Sequence, residues 1–220
     1  MTAQPRPLRR VSTVDALAEA LRAEILAGNL AAGARLREQQ LCDTYGVARH
    51  SLRAALRSLA TEGLVTIAPN RGASVARLTA EDARWLYELR AALELEAAHL
   101  ALERNGGRLP PPVHAALEDL QEACAPGDPP WSAINEAHAE LHTAIVEASG
   151  SPRIASAHAG LSGEMRLFLG ALRPHLPPDR LAADHVALVA GLEREGPSVL
   201  REHLRTAAET LAGAGDPPGG

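Results

Sequence analysis

Cysteine and aromatic side chains are scarce. The 220 residues hold two cysteines, Cys42 and Cys124, and they form no C-x-x-C pair. That excludes a disulfide framework and a thiolate metal site, and it favours a reducing compartment. Aromatics make up only 2% of the chain, while 46% is hydrophobic. The apolar mass is therefore Ala, Leu and Val, which suits packed helices. No stretch is long and apolar enough to span a bilayer. The opening "MTAQPRPLRRVST" has no apolar core that would make it a secretory signal. A cytoplasmic protein with no membrane partner is the simplest expectation.

Lysine is absent, so all basic charge is arginine, and it is unevenly spread. Residues 1 to 77 hold eleven Arg and six acids, for a net +5. Residues 78 to 220 hold the other eleven Arg and twenty-one acids, for −10. A small basic front joined to a larger acidic back suggests two jobs, the front facing a polyanion. The length suits one large domain or two small ones.

Ser12 to Asp15 reads as a helix-start box with Asp in place of Glu. Behind it Val14, Leu17, Ala18, Leu21 and Ile25 repeat at helical spacing. Gly28-Asn29 ends that helix. A short helix follows over about Glu38 to Tyr45, and Gly46 breaks it. The next, about Arg49 to Glu62, carries Leu52, Ala55, Leu56 and Leu59 inward, with Gly63 placed for a left-handed C-terminal cap. The period then changes. "LVTIA" alternates as a strand, "PNRG" is turn chemistry, and "ASVARL" alternates again. Three helices followed by a β-hairpin is the winged helix-turn-helix order. The third helix would enter the major groove with its N-terminus, where Arg49, His50, Ser51 and Arg53 are expected to be exposed. Arg71 and Gly72 at the hairpin tip would approach the sugar-phosphate backbone or the minor groove. The competing reading is a small structural domain with a solvated arginine face.

The stretch "GVARHSLRAALRSLATEGLVTIAPNRGASVARL" resembles the N-terminal domain of the GntR family of bacterial transcription regulators, from about Val14 to Leu78. The resemblance implies that Gln39, Arg49, His50, Ser51, Arg53, Arg71 and Gly72 fall at DNA-contacting positions. The chain departs from the family pattern at two places. Ala48 stands where Ser or Thr usually caps the recognition helix, a loss of about 1 kcal/mol. His50 replaces a common Thr, which implies a different operator sequence.

After residue 80 no strand signal appears. Thr79 to Asp82 is again box-like, and Leu86, Leu89, Ala92, Leu93 and Ala97 are expected to form the inner stripe of the helix that follows. "NGGRLPPP", "PGDPP", "SGSP", "RPHLPP" and "EGP" then separate helices over about 111 to 123, 132 to 148, 153 to 172, 179 to 194 and 198 to 213. The expected fold class is mainly α: a winged helix-turn-helix domain over residues 12 to 78 and an all-α bundle of about six helices over 79 to 213. Residues 1 to 11 would form a flexible N-terminus and 214 to 220 a disordered tail.

"HAELH" places His138 and His142 four residues apart, hence on one helical face. It is not the zinc-protease pattern, because Ala139 occupies the place of the required Glu and Glu140 faces elsewhere. His185 in "ADHVALV" and His203 in "LREHL" follow on later helices. A bundle can gather inward imidazoles from several helices into one site, and neutral imidazole suits Zn²⁺, Ni²⁺, Cu²⁺ or Fe²⁺. Spacing alone leaves open that each is a satisfied core histidine.

Here too a resemblance extends the reading. "LYELRAALELEAAHLA", "HAELHTAIVEASGSPRI", "DHVALVAGL" and "LREHL" resemble successive segments of the FCD effector domain of the FadR subfamily of GntR regulators. The resemblance implies a divalent metal, zinc above all, held by His142, His185 and His203. His138 occupies the position of the family's usual Asp, so the site is four-imidazole, or three-imidazole with His138 idle. The segment between His185 and His203 is also about four residues shorter than usual, near one helical turn. The open coordination positions of such a metal would hold a small organic acid, with Arg90 or Arg166 completing a bidentate clamp; each of these can equally be a structural ion pair. The expected function is a ligand-responsive repressor of metabolic genes, a homodimer on double-stranded operator DNA, and not an enzyme. Two rivals remain open: a metal-dependent helical enzyme, against which stand the misplaced Glu140 and the absence of a nucleophile-base pair or Gly-rich phosphate loop, and a DNA-binding module whose bundle only dimerises.

Overall fold

The computed structural model of the chain describes residues 12–77, 79–127 and 130–213. The expected flexible N-terminus over residues 1 to 11 and the expected tail over 214 to 220 lie outside the described residues. The chain divides into two compact units that part between Ala76 and Arg77.

In the first unit α1 (Thr13–Leu26) begins at Ser12, whose hydroxyl accepts the Asp15 backbone N–H at 3.1 Å. Leu17, Ala18, Leu21 and Ile25 repeat on one side, and that side packs against α3 (Arg49–Thr61). Between them lie β1 (Arg35–Leu36) and α2 (Glu38–Tyr45). Gly46 closes α2 at φ 62°, a left-handed conformation that glycine adopts without the Cβ clash of other residues. Strands β2 (Val65–Ala68) and β3 (Gly72–Val75) form the hairpin. β1 joins the other edge of β3, giving an antiparallel sheet of order β1-β3-β2 with Leu36 opposite Ala73 and Val65 opposite Val75. The two-residue β1 is too short for any alternation to announce it, and the sequence reading did not anticipate it. Leu21, Leu52, Leu59 and Leu64 are fully buried. Burial of each removes apolar surface worth roughly 1.5–3 kcal/mol from water.

The second unit is all helical: α4 (Ala80–Arg104), α5 (Pro111–Ala123), α6 (Trp131–Glu147), α7 (Pro152–Ala159), α8 (Ser162–Leu172), α9 (Pro178–Glu195) and α10 (Ser198–Gly213). A complete capping box starts α4, with Thr79 and Asp82 each satisfying the other's backbone N–H. Helices α4, α6, α9 and α10 pack around one core that includes Leu120, Ile134, Leu141, Ile145, Leu181 and Leu192. The single helix expected over 153 to 172 is two helices. Gly160 ends α7 and α8 starts anew at Ser162, so the described residues of this unit form seven helices. The inner face of α4 also differs from expectation. Leu89 is 47% exposed and Ala92 is exposed, whereas Tyr87, Arg90 and Glu94 are buried.

Candidate metal centre and nucleic-acid surface

The helix-turn-helix places most of its expected contact residues at the surface. Gln39, Arg49, His50, Arg53, Arg71 and Gly72 are exposed. Ser51 is not: it is 9% exposed and points with Ala55 into the face that packs the unit, four residues apart on the same side of α3. Ala48 makes no side-chain cap, as its methyl dictates. The exposed arginines are held by α2. Arg49 Nη2 donates to Gln39 Oε1 at 2.5 Å, and Arg53 is bidentate on Glu38 at 2.9 Å. Such exposed pairs are worth about 0–1 kcal/mol each, so they exchange readily for a phosphate or a base edge. At the wing tip Arg35 donates to the Arg71 carbonyl at 2.8 Å, which ties β1 to the turn and leaves the Arg71 guanidinium outward.

In the second unit four histidines converge. His138 and His142 stand one turn apart on α6, His185 comes from α9 and His203 from α10. Ligand atoms of His138, His142 and His185 all lie within 4.8 Å of one another. His203 lies just outside that set, its ring centroid 4.7 Å from that of His185 and 5.7 Å from that of His142. Burial holds all four imidazoles neutral. It pushes His185 down to about 3, keeps His138 and His203 well below the ordinary range, and lowers His142 despite the Glu94 carboxylate beside it.

The outer nitrogens are committed. His142 Nδ1 lies 2.8 Å from Glu94 Oε2, and His185 Nδ1 lies 2.7 Å from the Leu181 carbonyl. Carboxylates and carbonyls only accept, so both Nδ1 atoms carry the proton and both Nε2 atoms present lone pairs. Those two Nε2 atoms face each other at 3.4 Å. Two neutral acceptors have no reason to meet without a cation. Two nitrogens on one tetrahedral ion at about 2.0–2.1 Å would stand about 3.3–3.4 Å apart. The donor set therefore fits a divalent transition metal, and it fits a hard oxygen-seeking cation poorly.

A cavity of about 260 Å³ opens beside this centre, lined by Tyr87, Arg90, His138, His185, His203 and Arg180 among others. Arg90 is buried, its Nε bound to Glu94 at 2.6 Å and its guanidinium over the Tyr87 ring, 4.9 Å from the centroid. Its Nη2 is buried without a partner. Arg166 is not among the lining residues; it pairs with Glu136 at 2.7 Å, and the sequence expectation that it clamps a ligand gains nothing from this placement. Glu94 escaped the sequence reading. Burial opposes its charge, but Arg90 and His142 overcome that and hold the carboxyl well below its usual range. The signal available was Arg90 and Glu94 at i, i+4, a spacing that lets opposite charges enter a core together.

A winged helix-turn-helix unit followed by a helical unit with a histidine-lined cavity is the architecture of a DNA-binding regulator. Comparison with known proteins agrees. Residues 13–75 match the gntR family of bacterial regulatory proteins, and residues 85–209 match the FCD domain. The chain is 28% identical over 206 residues to the "Probable D-xylose utilization operon transcriptional repressor" of Paenarthrobacter nicotinovorans, covering 94% of this chain and 89% of that one. It is 31% identical over 133 residues to the transcriptional repressor GlaR of Escherichia coli K12, 60% of each chain. A crystal structure of a GntR transcriptional regulator from Rhodococcus sp. RHA1 superposes with TM-score 0.72 at 29% identity, covering 91% of this chain and 98% of that one. The chain belongs to the GntR family, with a C-terminal FCD domain, and is a DNA-binding transcription regulator rather than an enzyme. No described helix is long and apolar enough to cross a membrane.

Proposed function

We propose that this regulator is a cytoplasmic homodimeric repressor of metabolic genes, of the FadR subfamily, released from its operator when a small organic acid binds beside a divalent metal, zinc above all. The observation that carries the reading is the pair of bare Nε2 atoms of His142 and His185 at 3.4 Å, next to a cavity lined in part by Arg90, whose Nη2 is buried without a partner. His138, His142 and His185 would hold the ion and His203 would complete the set. The metal supplies Lewis acidity toward a carboxylate; Arg90 supplies a fixed cationic donor on the same anion. Four neutral imidazoles leave the dication uncompensated, which favours an anionic ligand. The operon named for the Paenarthrobacter relative supports a metabolic target.

On the DNA, Arg49, His50 and Arg53 would read the major groove from the start of α3, with Gln39 beside them. Ser51 would act there through its packing, and Arg71 with Gly72 would meet the backbone or minor groove. Two winged helices of a dimer match a pseudo-palindromic operator. The acid releases the repressor only to the extent that it binds the DNA-incompetent arrangement more tightly.

The test combines two measurements. Elemental analysis should find about one ion per chain, and His142→Ala, His185→Ala and His203→Ala should each empty the site or weaken it severely. His138→Asp should keep the metal. Gel shifts with promoter DNA beside the protein's own gene should show a complex that a small organic acid dissolves in wild type and not in the emptied variants. Absence of stoichiometric metal before and after zinc addition refutes the metal; a complex insensitive to every acid that binds the protein refutes the release.

A further inference from the structure

We propose that Glu94 is the positioning residue of the sensor: its carboxylate fixes the tautomer of His142 toward the metal with one oxygen and aims Arg90 into the ligand cavity with the other. The inference rests on the metal reading above and adds to it a residue outside the ligand set.

Three donors converge on this one carboxylate. His142 Nδ1 meets Oε2 at 2.8 Å, while Arg90 Nε at 2.6 Å and His158 Nε2 at 3.3 Å meet Oε1. Glu94 has no exposed surface, so no water competes for either oxygen. A carboxylate accepts only, so the proton of the neutral His142 ring must sit on Nδ1 and its Nε2 must be bare. Histidine ligands are commonly held in this way, and loss of the outer partner typically weakens metal affinity 10–100-fold. The other oxygen does a different task. It takes the Nε of Arg90 and leaves Nη2, which has no partner, as part of a side chain that lines the cavity. One buried group thus sets both halves of the sensor.

Glu94→Gln changes acceptor count rather than shape. The amide has one accepting oxygen and one donating NH2, facing donors on both sides. Arginine has no second protonation state, so the oxygen goes to Arg90 and the NH2 turns to His142. The ring must then accept at Nδ1, and its proton moves to Nε2, the atom the metal needs. A merely structural role for Glu94 would not invert that tautomer.

The experiment uses the full chain. Long-range proton–nitrogen NMR of metal-free protein reads which nitrogen of His142 is protonated: Nδ1 in wild type, Nε2 in Glu94→Gln. Zinc affinity by chelator competition should fall at least tenfold in Glu94→Gln. Because that variant leaves a buried guanidinium without its carboxylate and is at risk of misfolding, zinc affinity is also compared between Arg90→Met, in which Glu94 keeps His142 and His158 as partners, and Arg90→Met/Glu94→Met, in which no charge is stranded. A tenfold or greater loss on adding the second change supports the role. Nδ1 still protonated in folded Glu94→Gln, or a loss under threefold between the two Met variants, overturns it. Wild-type protein that takes up no zinc overturns the metal reading itself, a distinct result.

Discussion

The buried ion pair on α4 offers a quantitative test. Arg90 and Glu94 meet at 2.6 Å with side chains 3% and 0% exposed. Removing one partner of such a pair costs about 3–5 kcal/mol, because the other charge stays buried without compensation. The two single changes should not cost the same. Glu94→Met strands a guanidinium that cannot shed its proton. Arg90→Met leaves a carboxylate that still has His142 and His158 and that can take up a proton. The first should therefore lie within that range and the second at or below its lower end. The double variant Arg90→Met/Glu94→Met removes both charges and replaces them with apolar atoms, so it should cost at least about 2 kcal/mol less than the sum of the singles. At about 2–4 °C per kcal/mol, Glu94→Met should melt on the order of 10 °C lower. Urea unfolding of metal-free protein near neutral pH, followed by circular dichroism and by fluorescence of Trp85 and Trp131 in the same unit, gives all four corners of the cycle. Singles costing under about 1 kcal/mol each, or a strictly additive double, would refute the reasoning that this pair is dry and mutually dependent.

Arg49→Ala should weaken operator binding by about 1–3 kcal/mol and blur the distinction between operator and random DNA in competition gel shifts; unchanged affinity would remove α3 from the groove. Arg71→Ala should weaken all DNA binding and lower the log–log salt slope by roughly one, whereas a loss confined to one base position would point to base reading instead. Acid should destabilise the metal-free protein. The unfolded chain protonates His185 near its ordinary 6.5, the folded chain only near about 3, so the unfolded state binds more protons between these values. Stability from this source is complete above about 6.5 and drains away as pH falls toward about 3. His138, His142 and His203 act in the same direction. Denaturation midpoints that stay flat between pH 7 and pH 5 would contradict it.

Much of this architecture was legible because single positions carried strong local signals. Gly46 between two apolar-periodic runs, Gly63 after the second, and the change to alternation at Val65 place the winged helix without tertiary information. The bundle's breaks were equally plain at Pro111, Pro152 and Pro178, each at a helix start where its missing N–H costs nothing. What stayed hidden was whatever depends on neighbours. Counting only apolar residues read α4 in part: Leu86 and Ala97 are buried as expected, but Leu89 lies outward and Arg90 and Glu94 inward, since two opposite charges one turn apart behave as a buried pair. Ser51 reads as a surface hydroxyl, yet its four-residue step to Ala55 puts it inside. Gly160 interrupts a periodic run without changing its composition, so the break between α7 and α8 passed unseen. The four converging histidines were visible from spacing and resemblance, but Glu94 belongs to a helix far away in sequence, and no local pattern connects it to His142.

The sensor is closed by its first and last helices. Arg90 and Glu94 come from α4, and His203 comes from α10, which packs along α4. During synthesis α4 emerges long before α10 exists, so the cavity cannot assemble until translation of this unit is nearly finished. Contacts between such distant segments form late in folding, after the cost of closing the intervening chain. The helix-turn-helix, by contrast, is built from neighbours and leaves the ribosome first. A chain cut short before α10 would therefore release a DNA-reading unit whose sensing partner was never completed.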